Sequence, residues 1–179
     1  MTKQQALQPD SEGDIPYLKD GCLYCLEQCA QLLDQVPPQV YSNNSPDRAS
    51  VGVHMRHVFD RFHCFFQGLG SACINYDDRS RDREIETNIA AAGFALNSLR
   101  KRLQQLEPGV MQQPIEVREA VHHQLGAVAL PSTVAREMLG LITHSVHHLA
   151  IVAIMLQARG IVMDPDFGKA PSTVIYERG

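Results

Sequence analysis

At 179 residues with 44% apolar side chains, the chain has the size of one ordinary domain, able to bury most of its unfolded surface without disulfide staples. A net charge of −4, with basic residues scattered among acidic ones and no Lys/Arg face or interleaved aromatic stripe, argues against nucleic acid as a partner. Five cysteines, an odd count, follow a polar start without a signal-peptide pattern, so a reducing cytoplasm is the expected location.

Residues 1–14 read as a flexible N-terminus. Ile15, Leu18, Cys22, Cys25, Cys29, Leu32 and Val36 then follow alternating steps of three and four, the buried seam of a first helix that Pro37-Pro38 ends. Its three cysteines occupy consecutive seam positions with no second Cys pair, so they read as packing rather than as a metal or redox motif. A polar loop from Ser42 to Ser50 feeds a second helix, Val51 to Leu69, with Val51, Met55, Val58, Phe62, Phe65 and Leu69 on its seam. The charged segment Asp77 to Glu84 reads as a solvated connector. Its Arg79, Arg81 and Arg83 alternate with acids, and recruitment of an anionic substrate is the alternative to simple solvation. Ile85, Ile89, Ala92, Leu96, Leu99, Leu103 and Leu106 give a third helical seam, closed by Glu107-Pro108-Gly109.

From Pro114 to Leu130 the period changes to two, with Ile115, Val117, Glu119 and Val121 alternating with Glu116, Arg118 and Ala120 before a turn at His122 to Gly126. This predicts a small β-hairpin. Pro131-Ser132-Thr133 offers capping oxygens to a fourth helix that runs to Arg159 and stops at Gly160. Leu139 to Leu156 is about long enough to span a bilayer, but it carries three histidines, so a buried helix and no membrane role are expected. The tail, 161–179, shows no helical period and is expected to be extended, packed on or beside the rest. Four amphipathic helices predict an all-α fold, a four-helix bundle over 15–160 with the hairpin between helices three and four.

Thr143-His144-Ser145-Val146-His147-His148 places imidazoles at i, i+3 and i+4 of the fourth helix. Residues four apart lie on one face, one turn apart, so two rings aim at one point. At 100° per residue, His144 and His148 share the inward sector with Leu141, Ser145, Ile151, Val152 and Met155. His147 instead falls on a small-residue edge with Gly140, Thr143, Ala150 and Ile154. His144 and His148 are therefore the expected ligands, and a histidine of helix two would complete a tripod with an open position. His54, His57 and His63 are the candidates there, with periodicity slightly favouring His54. Asp60, one turn after His57, is placed to take the proton of the His57 nitrogen not bound to metal, or to be a solvated carboxylate. Glu137 and Arg61 both lean inward and are expected to pair. They are also the acid–base candidates, although Glu137 lies two turns from His144, too far to share its metal.

His57-Val58-Phe59-Asp60-Arg61-Phe62-His63, with His144-Ser145-Val146-His147-His148-Leu149-Ala150 much later, resembles the DinB/YfiT-like family of metalloenzymes. That family is a four-helix bundle of unusual connectivity. Its metal-binding histidines come from an H-x-x-D-type segment on the second helix and the first and last positions of an H-x-x-H-H segment on the fourth. Carried over residue by residue, the resemblance selects His57, His144 and His148, over the periodicity preference for His54. It spans roughly Ile15 to Gly160, and only the two histidine segments are specific.

The resulting expectation is a metal-dependent enzyme in which three imidazoles hold Zn, Ni or Fe and activate a water or a low-molecular-weight thiol toward a small-molecule substrate. The thiol enters through the resemblance, since the family includes thiol-using transferases and isomerases; a hydrolysis is the other reaction class. The competing expectation is a non-catalytic, metal-binding stress-response bundle. A homodimer is expected because Ile142, Val146, Leu149 and Ala153, opposite His147, need cover from the bundle or from a partner.

Overall fold

The computed structural model describes residues 15–43 and 49–179, so the expected flexible start and residues 44–48 of the polar loop lie outside them. Helix α1 (Ile15–Gln35) follows the three-and-four spacing and buries Cys22, Cys25, Leu26, Cys29 and Leu32. The Cys22 and Cys25 thiols face the carbonyls of Met138 and Ile142, and burial pushes Cys25 up to about 12. These are packed, neutral thiols. Pro37 ends the helix. Pro38 then opens a short α2 (Pro38–Ser42), where its missing N–H is no loss.

Helix α3 (Val51–Gly68) begins on Ser50, whose hydroxyl accepts from the Val53 N–H at 3.1 Å. The expected solvated connector holds more structure than its charge suggests. A three-residue strand, β1 (Cys73–Asn75), precedes it, and its end turns into a short helix, α4 (Arg83–Thr87). The third seam is likewise divided. Asn88, in extended backbone, caps α5 (Ile89–Gln104) by accepting from the Ala90 and Ala91 N–H groups, so Ile85 belongs to α4. The hairpin consists of β2 (Pro114–His122) and β3 (Leu125–Thr133), nine residues each. β1 pairs in parallel with β2, giving the sheet order β1-β2-β3.

Thr133 caps α6 (Val134–Gln157) by accepting from the Arg136 N–H, and the chain leaves that helix through Gly160 at φ +72°. The expected extended tail is corrected over its end, where Pro171 starts α7 (Pro171–Arg178). The tail also docks inward. The Gly168 N–H donates to the Gln28 amide oxygen at 2.7 Å, and Phe167 is buried.

The fold is thus mainly helical with a small three-stranded sheet. α1 packs against α5 and α6, and α3 packs against the same two helices. Phe59, Phe62, Phe65, Leu99, Leu103 and Met138 fill the space between them. By length and composition α6 is apolar enough to cross a membrane; it lies against α1 and α3. Of the α6 face expected to need cover, Leu149 is buried, Ile142 and Ala153 pack against the core and Val146 is half-buried; elsewhere on the helix Leu139 and Ile154 are exposed.

α4 crosses the start of α3 so closely that a Cβ at Gly52 would stand 1.9 Å from the Glu86 carbonyl oxygen. Gly52→Ala is expected to cost about 1–3 kcal/mol as overpacking. Gly70→Ala, with open space around the new methyl, is expected to stay within ~0.5 kcal/mol of wild type. Denaturant midpoints of the two variants provide the check.

Candidate metal centre

His57 reaches the α3–α6 interface from α3, and His144 and His148 reach it from α6 one turn apart. Their ring centroids stand 4.6–5.1 Å from one another. One ligating nitrogen from each lies within 4.8 Å of the others. Around a tetrahedral ion with ~2.1 Å bonds the same nitrogens would be ~3.4 Å apart, inside that limit. The donor set fits a divalent cation on a second ground: His144 Nε2 is buried and has no hydrogen-bond partner.

All three rings are held in the neutral form that binds metals. Burial, then the Arg61 guanidinium and the neighbouring imidazoles, lowers His144 to about 3. Burial, then His57, His54 and His147, lowers His148 to about 3. His57 is also lowered, by burial and by the cations of Arg79 and Arg56.

The other histidines take different places. His54, one turn before His57, stands 3.0 Å from His148, Nδ1 to Nδ1, so one of these rings donates and the other accepts. When His148 donates, its Nε2 lone pair is free for a metal. Periodicity thus singled out a ring that touches the three, and the resemblance one that belongs to them. His147 is exposed at the helix edge, and the His63 Nε2 is buried without a partner.

Asp60 does not play the expected part. Its buried carboxylate accepts from Arg56 Nη1 at 2.9 Å and from the Ser80 hydroxyl at 3.2 Å, and Arg56 also bonds Glu86. A buried carboxylate is stabilised more by a full cation than by a neutral imidazole, and Arg56, one turn earlier on the same helix, is within reach. His57 Nδ1 meets Arg79 Nη1 instead, at 3.1 Å.

The expected Arg61–Glu137 pair is corrected too. Arg61 makes a two-pronged bond to Glu119, at 2.6 and 3.2 Å, and its guanidinium lies 3.8 Å over the Tyr76 ring. Glu137 accepts from the Tyr76 hydroxyl at 2.9 Å and the Ser132 hydroxyl at 2.6 Å. β2 decides this by laying Glu119 over α3. The signal was present in the sequence, because Glu119 is an acid on the inward face of a period-two strand and needs a cation there. Arg79, expected as a solvated loop charge or a recruiter of anions, stands against His57, a contact that its loop position did not signal.

A cavity of ≈ 450 Å³ opens beside two of the three rings, His57 and His144, lined also by Arg61, Arg79, Glu119 and the hairpin residues His122 and His123. A second, of ≈ 400 Å³, lies across the Arg61–Glu119 pair and carries Glu137 and His147. His144 borders both.

Since His144 and His148 resist protonation when folded but titrate near 6.5 when unfolded, the unfolded chain takes up protons first on acidification. Stability of metal-free protein is therefore expected to be full above about pH 6.5 and to fall as pH drops from there toward about 3. Melting temperatures at pH 7.5, 6 and 5 test this; a His144→Leu/His148→Leu variant should show a flatter slope, and equal slopes would refute the assignment. Comparison with protein-family models and with curated proteins finds no match to this chain, and its site is read from its own atoms.

Proposed function

We propose that this chain is a metal-dependent enzyme of the DinB/YfiT-like kind, with His57, His144 and His148 holding one divalent cation, Zn, Ni or Fe. The observation that carries the reading is the gathering of three neutral imidazole nitrogens from two helices at the edge of a cavity of metabolite size. The pairwise packing of α1, α3, α5 and α6 and the long α3–α5 connection support a four-helix bundle of that type. A cation held there supplies the Lewis acidity that makes a water or a low-molecular-weight thiol nucleophilic at neutral pH.

The chain's own residues do the rest. When His54 accepts from His148 Nδ1, it fixes the tautomer that leaves the His148 Nε2 lone pair for the cation. Glu119 and the Tyr76 ring hold Arg61 rigid at the cavity wall, where it can contact substrate. Glu137 is committed to Tyr76 and Ser132 in the neighbouring cavity, which makes it a positioning group for the sheet rather than a base at the histidines. The reaction class that suits an open three-histidine centre with an adjoining pocket is transfer of a small thiol to an electrophile, or a hydrolysis.

Elemental analysis of untagged protein is expected to find about one divalent ion per chain. His144→Ala should bind it more than ~100-fold more weakly, and His54→Phe should keep the stoichiometry while losing ~10–100-fold in affinity. Equal metal content in wild type and His144→Ala would sink the proposal.

A further inference from the structure

Two guanidinium groups border the ≈ 450 Å³ cavity, and neither has all its donors met. Arg61 spends both terminal nitrogens on Glu119 and keeps a buried, unpaired Nε. Arg79 spends Nη1 on His57 and likewise keeps a buried, unpaired Nε. Buried N–H groups are rarely left without an acceptor, and both side chains that carry these two line the same cavity.

The loop that carries Arg79 is tied down on both sides of it. The Ala120 N–H donates to Asp77, the Cys64 thiol to the Asp78 carbonyl, the Ser80 hydroxyl to Asp60, and Asp82 caps α4. Motion of Arg79 is therefore side-chain rotation over a fixed backbone.

That rotation is required by the chemistry of His57. A neutral imidazole has one lone pair and one N–H, and Arg79, which only donates, needs the lone pair at Nδ1. A metal at Nδ1 takes that lone pair. A metal at Nε2 puts the proton on Nδ1, facing a second donor. By either route, His57 cannot both bind a metal and accept from Arg79.

We propose that metal uptake at His57 releases Arg79 into the cavity, where it grips the carboxylate of a small anionic substrate beside Arg61. The inference rests on the metal reading above. A carboxylate suits the planar fork of a guanidinium, and the cavity has room for a metabolite-sized molecule. The lining carries Glu119 and Asp77 beside Arg61 and Arg79, so their charges cancel and the wall gains a net positive charge only with the cation. Carboxylate affinity should therefore follow metal loading, which makes metal and substrate mutually reinforcing ligands.

Calorimetry with succinate, and with succinamide as its uncharged counterpart, tests this on metal-free and zinc-loaded protein. Zinc-loaded wild type should bind succinate about tenfold or more tightly than it binds succinamide, and than metal-free protein binds succinate. Arg79→Gln should lose about tenfold in succinate affinity yet bind zinc at least as tightly as wild type, because a competing cation is gone from His57. Arg79→Lys, which keeps the charge without the fork, should fall between. A merely structural arginine would weaken both ligands together. Succinate binding by Arg79→Gln equal to wild type, or weaker zinc binding by that variant, overturns the inference while leaving the metal reading intact. Failure of wild type to take up zinc overturns both, and the zinc titration alone distinguishes that case.

Discussion

The structure turns on the burial of imidazoles between two apolar helices. His54 and His57 on α3 meet His144 and His148 on α6 in surroundings that hold all four below their ordinary pKa. Each ring must therefore find a partner for one N–H and one lone pair in a partly dry space. His54 and His148 satisfy each other, Arg79 satisfies His57, and His144 keeps an unanswered nitrogen. His63 keeps one as well, but the nitrogen of His144 stands beside two further imidazoles.

Around this interface, charged groups decide how the other elements attach. Arg56 joins Asp60 to Glu86 and so ties α3 to α4, whose backbone crosses at Gly52. Arg61 with Glu119, and Glu137 with Tyr76 and Ser132, clamp the sheet to α3 and α6. Partly buried pairs of this kind add little net stability, but removing one partner strands the other, so they specify arrangement more than they strengthen it. The clamp also walls the cavity. The hairpin beyond Glu119 is largely exposed, yet its residues as far as His123 still line the cavity.

The helical seams were legible because each buries one face of a regular helix, and such a face needs only local spacing. What escaped was short or non-local. β1 has three residues and exists by pairing with β2, some forty positions away. Asn88 breaks the third seam without disturbing its spacing, since Ile85 stays buried on the same side. α7 leaves Ile175 and Tyr176 exposed and so writes no buried stripe to read. The partners of Asp60 and Arg61 were missed because those groups bind the nearest full charge in space, and that neighbour is set by how the loop and the hairpin return over α3.

By itself, the sequence determined that His144 and His148 share a face, because 3.6 residues per turn stacks positions four apart on any helix. It also determined where the apolar seams lie and that α3 brings histidines to a buried stripe. Only the tertiary structure decided which α3 ring joins the α6 pair and which only touches it. It alone replaced Asp60 by Arg79 beside His57, and Glu137 by Glu119 beside Arg61. The reason is one of range: a helix fixes the relative positions of its own side chains, whereas a partner from another element depends on how the two cross, and no local spacing records a crossing.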